Sequence, residues 1–306
     1  MNKRTLAAGI LILASLSYVK AQNTPAAADT AWKLGGNFSL QFNQAAYSNW
    51  QAGGVNSIAG NGLLNIYANY DDGGLWTWNN ALTLGYGLAL QDTLFNKTDD
   101  RIELESRVDR SISKNWAASG FLNFRTQFAP GFKNPGDTDP DSIISNFMAP
   151  GYLLTGIGFT YKPRENFSVF LSPATNKMTF VLSERLSNQP GGAFGVDSGE
   201  AFRYELGGYI NLNYKQKLMK NVELTARLDL YSNYLEDPTL IDVNSEVIVF
   251  MKVNKYITAN LSLNVVYDHD VKFDLDNNPD TPGVPRTQFR EILGIGFSYN
   301  FGSETE

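Results

Sequence analysis

The sequence predicts an all-β protein, a transmembrane antiparallel up-and-down β-barrel of about twelve strands with short periplasmic turns and long extracellular loops. Apolar and polar residues alternate in repeated segments from Trp32 to the C-terminal region. No segment after the N-terminal one approaches 18 consecutive apolar residues, so a membrane-spanning chain must close into a barrel that pairs its backbone groups. A water-soluble β-sandwich also alternates, but long strands, aromatic strand ends and charged rows opposite apolar rows favour the membrane barrel.

The N-terminal segment has the pattern of a secretory signal peptide at residues 1–21. Lys3 and Arg4 precede an apolar run from Leu6 to Leu16, which is too short for an ordinary membrane-spanning helix. We therefore expect Sec-type export with cleavage near Ala21, followed by a flexible lead-in at 22–31 and a barrel at 32–301. The chain has no cysteine, which excludes disulfides and thiolate chemistry.

Charge excludes one class of partner. Removing residues 1–21 takes Lys3, Arg4 and Lys20 from the 25 basic residues and none of the 31 acidic ones, which leaves 22 against 31 and a net charge of −9. Such an acidic chain is not expected to bind nucleic acid.

The first three strands form a meander. The apolar rows begin with Trp32, Ile58 and Trp76, and an Asp-Asp-Gly-Gly turn at 71–74 separates the second strand from the third.

The fourth and fifth strands meet at a turn at 113–115 and carry the clearest charged row. Arg101, Glu103, Glu105 and Arg107 alternate with apolar residues on the fourth strand, and Arg125 lies on the polar face of the fifth. A charged row cannot face lipid, so these side chains are expected to face the lumen, with Glu103 opposite Arg125.

Seven further alternating segments complete the predicted count. They begin at Leu153, Phe167, Phe202, Val222, Val247, Ile257 and Leu293. The segment from Lys177 to Leu182 also alternates, but counting it as a strand makes the number odd, so we assign it to a loop. The short connections belong on the periplasmic side. The longer ones, at 47–55, 91–100, 129–143, 172–199, 236–242 and 268–286, belong outside.

The lumen charges admit two interpretations, a solute path or a salt-bridged plug. Five basic and five acidic residues form this predicted network: Arg101, Glu103, Glu105, Arg107, Arg125, Arg203, Glu205, Glu223, Arg227 and Asp229. Balanced charges pair more readily than they select ions. Complete pairing favours a plug, and unpaired charges favour transport.

The last strand, Leu293–Phe301, has a fully apolar face that alternates with Gly, Ser and Asn. Gly296, Tyr299 and Phe301 form a G-x-x-aromatic-x-aromatic arrangement that resembles the C-terminal signal read by the outer-membrane barrel assembly machinery. The acidic tail at 302–306 follows it. We therefore expect the assembly machinery and outer-membrane lipids as partners.

Two other features raise alternatives. His269, the single histidine, suggests a surface hydrolase, but no G-x-S-x-G context accompanies it. We therefore do not expect the protein to be an enzyme. Asp274, Asp276, Asn278 and Asp280 have the alternate oxygen spacing of calcium loops, as do Asp137, Asp139 and Asp141. Pro279 stands where a calcium loop needs glycine, so the other interpretation is a pair of solvated turns, and no cofactor besides calcium is expected.

The segment NQAAYSNWQAGGVNS at 43–57 resembles a family of secreted bacterial proteins classified only as a domain of unknown function. The pattern SNW-x-AGG-x-NS, with Ser48, Asn49, Trp50, Gly53 and Gly54, is its most specific part, and the resemblance is expected to extend over most of the mature chain. It implies an outer-membrane barrel, with these residues in an ordered first outer loop, and supplies no activity or substrate.

Together these features predict an outer-membrane barrel in a Gram-negative cell that acts as a narrow channel or transporter for small solutes. A plugged structural or partner-binding barrel in a membrane-protein complex is the alternative, and a hydrolase that uses His269 is a remote one.

Overall fold

The computed structural model describes residues 31–45, 56–91, 93–254, 256–273 and 283–302. These residues form sixteen strands: β1 (Trp32–Ala45), β2 (Ser57–Asp71), β3 (Trp76–Gln91), β4 (Leu94–Ser111), β5 (Trp116–Thr126), β6 (Gly131–Phe132), β7 (Ile143–Ser145), β8 (Gly151–Arg164), β9 (Phe167–Phe180), β10 (Phe202–Met219), β11 (Val222–Asn233), β12 (Ile241–Lys252), β13 (Ile257–Tyr267), β14 (Lys272–Phe273), β15 (Val284–Pro285) and β16 (Gln288–Gly302). The 3₁₀ turn Pro140–Ser142 and the four-residue α-helix Glu184–Ser187 lie in connections, and no described helix is long and apolar enough to cross a membrane.

Twelve of the strands close into one antiparallel barrel. The order around the barrel is β1, β2, β3, β4, β5, β8, β9, β10, β11, β12, β13 and β16. The last strand returns to the first, with Phe38 opposite Tyr299 and Leu40 opposite Phe297. Closure removes every exposed barrel edge, and it confirms the predicted up-and-down barrel of twelve strands.

The outer surface of the barrel is apolar. Along β16 the side chains of Leu293, Ile295, Phe297 and Tyr299 are between 41% and 61% exposed. A continuous apolar surface of this kind marks contact with lipid, and strands of 11 to 18 residues are long enough to cross a bilayer when tilted. The barrel is therefore a transmembrane one.

Aromatic side chains cluster at the end of the barrel that carries the short turns. The Trp32 ring lies 5.2 Å from that of Tyr70 and 5.6 Å from that of Trp78, and the Trp116 ring lies 4.8 Å from that of Tyr161. Such clusters are typical of the interfacial girdle of membrane barrels.

The described connections fall into the two predicted classes, but several residues predicted to be in loops lie in strands. At one end of the barrel the turns at 72–75, 112–115, 165–166, 220–221 and 253–256 have two to four residues each, whereas at the other end 127–150 and 181–201 are long. The prediction of a loop at 91–100 was wrong, because β3 and β4 remain paired as far as Gln91 and Leu94. The polar residues there have partners: the Asp100 carboxylate accepts hydrogen bonds from the backbone N–H groups of Phe128 and Ala129.

The loop assignment of Lys177–Leu182 was also wrong for its first four residues, which are the end of β9. Ser172 pairs with Tyr209 and Thr175 with Gly207, so β9 holds one more residue than β10 over this interval. This β-bulge reverses the inward and outward alternation, and one continuous strand therefore looks in sequence like two strands out of phase. The strand count stays even because the segment lengthens β9 instead of adding a strand.

A few polar side chains share the outward face with the apolar ones. The Trp78 indole N–H donates to Ser106 Oγ at 2.8 Å, and the Ser106 hydroxyl donates to Asn80 Oδ1 at 2.8 Å. The Asn80 amide then donates to the carbonyl oxygen of Ala68 at 3.0 Å. These groups satisfy one another, as polar groups facing lipid must.

Candidate functional site

A layer of charged side chains crosses the middle of the lumen. Arg125 on β5 bonds Glu103 on the neighbouring β4, with 2.7 Å between Nε and Oε1, as the predicted cross-strand pair requires. The same guanidinium reaches Asp229 on β11, with 3.2 Å between Nη2 and Oδ2. Because β5 and β11 are not neighbours in the barrel, this contact spans the lumen.

Arg227 completes what we call the charge layer, defined by Glu103, Glu105, Arg125, Arg227 and Asp229. Its guanidinium contacts Glu105 Oε1, lies 3.2 Å from Glu103 Oε1 and lies 3.0 Å from Asp229 Oδ2. The layer holds three carboxylates and two guanidinium groups.

Neutral side chains add hydrogen bonds to the charge layer. The Asn123 amide donates to Glu103 Oε1 at 3.0 Å and to Glu105 Oε1 at 3.1 Å. The Tyr209 hydroxyl and the Asn211 amide each donate to Asp229 Oδ1 at 2.6 Å. The layer is thus a hydrogen-bonded network held from several strands, which fixes the side chains in the lumen.

The other five residues of the predicted lumen network lie outside the charge layer. Arg101 pairs with Glu246 at 3.4 Å and Arg107 with Asp109 at 3.3 Å. Glu223 pairs with Lys215 at 3.1 Å at the short-turn end, where both side chains are exposed. Glu205 belongs to a separate cluster nearer the long connections, and Arg203 flanks that cluster.

This separate cluster, which we call the lysine cluster, consists of Lys177, Glu205, Asp242 and Asp268. The Lys177 ammonium lies 2.9 Å from Asp242 Oδ2, 3.5 Å from Glu205 Oε2 and 3.9 Å from Asp268 Oδ2. Arg203 flanks it, 3.7 Å from Glu205 and 2.9 Å from Asp270. Lys177 was not predicted to face the lumen because the bulge in β9 inverts the alternation before it. Asp242 was predicted to lie in a loop, but it belongs to β12.

Carboxyl groups in the connections titrate differently according to their surroundings. Burial raises the pKa of the Asp268 carboxyl above its ordinary value, an effect that outweighs the attraction of Lys177. In contrast, the pKa of Asp137 is lowered by the hydrogen bond from the backbone of Asp139, and that of Asp237 is lowered by the Thr239 hydroxyl.

Cavities lie in the lumen on both sides of the charge layer. On the side of the long connections lie the arginine cavity of about 330 Å³, lined by Arg101, Arg227 and Arg290, and the tyrosine cavity of about 320 Å³, lined by Tyr152, Tyr209 and Tyr231. On the other side lie the inner cavity of about 420 Å³, lined by Tyr67 and Phe170, and a mouth cavity of about 480 Å³ beside Arg107 and Asp109.

The remaining predicted site residues are placed as follows. Gly296, Tyr299 and Phe301 lie in β16, where Gly296 pairs with Gln41 on β1. Three predicted features lie outside the described residues: the first-loop residues Ser48, Asn49, Trp50, Gly53 and Gly54, the calcium candidates Asp274, Asp276, Asn278 and Asp280, and the predicted signal peptide at 1–21.

The acidic run at 137–141 uses its carboxylates locally. Asp137 accepts a hydrogen bond from the backbone N–H of Asp139, and Asp139 accepts one from that of Asp141. Asp141 also contacts the guanidinium of Arg185. Within the described ranges, no group of three or more His, Cys, Asp or Glu side chains is arranged to hold a metal ion.

His269 follows β13, and its backbone N–H donates to Asp242 Oδ1 at 3.3 Å. Its ring Nδ1 has no hydrogen-bond partner in the part of the chain that the structure describes. A triad histidine has this nitrogen oriented by a carboxylate.

Comparison with protein families and curated proteins supplies no activity. Residues 42–132 match the model of the family described as "Protein of unknown function (DUF3078)". This span includes the segment that resembles such a family in sequence, and it covers less than half of the chain. No curated protein matches.

Solved structures that match the chain include a translocator domain, an outer membrane channel and a porin. The translocator domain of the autotransporter NalP from Neisseria meningitidis matches with a TM-score of 0.36 and 11% identity over 97% of this chain and 98% of that one. The COG4313 outer membrane channel from Pseudomonas putida F1 matches with a TM-score of 0.41 and 11% identity over 92% of this chain and 100% of that one. The NanC porin matches with a TM-score of 0.39 and 6% identity over 85% of this chain and 98% of that one. At these values nothing about function is transferred.

Proposed function

We propose, from the premise that this chain is a transmembrane β-barrel of the outer-membrane type, that it is a narrow channel for small solutes. The proposal rests on the observation that the charge layer which blocks the lumen is only about one side chain thick. Arg227 lines both the arginine cavity and the inner cavity, and Tyr209 lines both the tyrosine cavity and the inner cavity. One layer of side chains therefore separates these cavities, and changes of rotamer within that layer are small motions compared with the displacement of a folded plug.

The size and charge of the lumen limit the solutes that the channel admits. Cavities of about 320 to 420 Å³ hold molecules at the lower end of the range for small-molecule sites. The charge layer carries two positive and three negative groups, and each is paired. Nearly balanced, paired charges favour small uncharged or weakly charged solutes over strong selection of one ion.

The plugged structural or partner-binding barrel is the second candidate. It is favoured by the pairing of every member of the charge layer, which makes the layer a stable obstruction as well as a filter. In this second candidate the long connections, 127–150 and 181–201, provide the surface for a membrane-protein partner.

The proposed location is the outer membrane of a Gram-negative cell, after Sec-type export and cleavage near Ala21. The assembly machinery then reads Gly296, Tyr299 and Phe301 in β16, and outer-membrane lipids surround the apolar face. The proposal gives His269 no catalytic role, because no described carboxylate orients its Nδ1.

A liposome-swelling assay tests the proposed function. Vesicles that contain the purified protein are expected to swell in isotonic glycerol and glucose and to swell much more slowly in sucrose, because the charge layer restricts larger solutes. Vesicles without protein are the control. If the vesicles with protein swell no faster in glycerol than the vesicles without protein, the channel is rejected and the plugged barrel remains.

A further inference from the structure

The mouth cavity at the short-turn end of the lumen has an excess of positive charge. Its volume is about 480 Å³, and its wall carries four basic side chains against two acidic ones: Lys33, Arg107, Lys114 and Lys162 against Asp71 and Asp109. The whole chain, in contrast, has a formal net charge of −6. A concave wall with an excess of one sign of charge concentrates ions of the opposite sign, so this cavity attracts anions.

Both carboxylates of this wall are bonded to groups of the protein. Asp109 Oδ2 lies 3.3 Å from Arg107 Nε, and Asp109 Oδ1 accepts a hydrogen bond from the Ser119 hydroxyl at 2.5 Å. Asp71 Oδ1 accepts a hydrogen bond from the backbone N–H of Gly73 at 2.8 Å. Neither carboxylate forms an ion pair with a lysine of the wall among the described residues.

The three lysines of the wall have their ammonium groups available for a ligand. Lys33, Lys114 and Lys162 are exposed, and none of them forms an ion pair with any residue that the structure describes. An ammonium group donates up to three hydrogen bonds and accepts none. Its strongest partners are the oxygen atoms of carboxylate and phosphate groups.

The alternation of the strands turns these lysines toward the lumen. Trp32 and Leu34, on either side of Lys33, are exposed on the outer surface of β1. Tyr161, which precedes Lys162 on β8, lies in the aromatic girdle. Because successive side chains of a strand point to opposite faces, both lysines point inward. The anion that they attract is therefore a water-soluble molecule in the lumen and not the headgroup of a surrounding lipid.

Lys114 and Lys162 lie beside each other at the rim of this cavity. The backbone N–H of Lys162 donates to the carbonyl oxygen of Asn115 at 2.8 Å, and Asn115 follows Lys114 in the turn at 112–115. The side chains of Ser113 and Asn115 line the same space and supply neutral donors. Charged and neutral donors together suit the several oxygen atoms of one phosphate or carboxylate group.

The excess of positive charge is confined to the short-turn side of the charge layer. The arginine and tyrosine cavities on the other side have five basic and five acidic side chains in their combined walls: Arg101, Arg125, Lys177, Arg227 and Arg290 against Glu103, Asp229, Asp242, Glu246 and Asp268. The charge layer itself holds three carboxylates against two guanidinium groups. An anion therefore gains no electrostatic energy by crossing the layer, and it is held at the mouth.

We infer that the mouth cavity binds a small water-soluble anion that carries a phosphate or carboxylate group, with Lys33, Lys114 and Lys162 as its charged partners. This inference goes beyond the proposed channel function. It does not require conduction, because the cavity lies on the short-turn side of the charge layer.

Phosphorus-31 NMR tests the inference, with inorganic phosphate as the probe and the full chain in an uncharged detergent at low ionic strength. The phosphate resonance is expected to broaden in a saturable way as protein is added, and added sodium chloride is expected to weaken the binding. Lys114→Gln combined with Lys162→Gln is expected to raise the dissociation constant about five- to twentyfold, because two ammonium groups are lost from the site. Both side chains are exposed, so the barrel is expected to fold, as heat-modifiable migration on gels checks.

Lys217→Gln combined with Lys220→Gln is the matched control. It removes the same charge from exposed positions at the same end of the barrel, outside the mouth cavity. The expected change in the dissociation constant is less than about twofold, because surface charges outside the site act only through screened solvent.

Three results overturn the inference: no saturable broadening of the phosphate resonance, no weakening in the variant of Lys114 and Lys162, or an equal effect of the two double variants. Phosphate binding that depends on these two lysines, in a protein that does not accelerate vesicle swelling in glycerol, rejects the channel alone. Accelerated swelling without phosphate binding rejects the anion site alone.

Discussion

Arg227→Ala is expected to lower the free energy of unfolding by about 3 kcal/mol, because it removes one partner from a network of buried charges. Arg227 contacts Glu103, Glu105 and Asp229, and the side chains of Glu103 and Asp229 are no more than 10% exposed. After the substitution Arg125 alone faces the three carboxylates of the charge layer. Urea unfolding of the protein in detergent micelles, followed by tryptophan fluorescence, measures the loss.

Two further variants separate charge imbalance from loss of a side chain. Arg227→Ala combined with Glu105→Ala leaves one arginine and two carboxylates, which restores the native net charge of the layer. Its loss of stability is expected to be smaller than that of Arg227→Ala alone. Arg185→Ala removes an arginine whose partner, Asp141, is exposed, and its effect is expected to stay below about 1 kcal/mol. If Arg227→Ala destabilises no more than Arg185→Ala, the charge layer is not a buried network.

Lys177→Met is expected to cost about 2 to 3 kcal/mol at neutral pH, because one ammonium serves the three carboxylates of the lysine cluster. Methionine keeps most of the length of the lysine stem, so the substitution removes charge with little loss of packing. Lys215→Met, the same change at an exposed pair with Glu223, is the matched control, with an expected effect below about 1 kcal/mol.

The defect of Lys177→Met is expected to grow as the pH rises. Burial already holds the pKa of Asp268 above its ordinary value in the presence of Lys177, and loss of the ammonium raises the pKa further. A carboxyl with a higher pKa in the folded state than in the unfolded state binds more protons when folded, so stability falls as the pH rises through the interval between the two values. Urea midpoints at about pH 4 and about pH 8 show this dependence. A defect of equal size at both pH values contradicts a role of Lys177 in keeping the Asp268 carboxyl ionised.

The alternation of residues was enough to predict the barrel and one cross-strand pair. Period-two patterning assigns each strand an inward and an outward face, and a short turn between β4 and β5 keeps both faces in register. Glu103 therefore had to stand opposite Arg125, as the pairing of the two strands shows.

Contacts across the lumen were not predictable in the same way. Whether Arg227 on β11 meets Glu103 on β4 depends on the stagger and tilt of strands on separate walls, which follow from closure of the whole sheet and not from local spacing. Lys177 was missed for a different reason, since a single extra residue in β9 inverts the faces of everything beyond it. The sequence thus contains the members of the charge layer, while only the closed barrel brings them together.

Single-channel recording in a planar lipid bilayer tests whether the charge layer is a constriction in a path for small solutes. A constricted path predicts small, discrete current steps for the native protein and larger steps for Arg227→Ala combined with Glu105→Ala, in which two side chains of the layer are shortened. If neither protein conducts, and heat-modifiable migration on gels shows the folded barrel in the same membrane, there is no conducting path and the barrel is plugged.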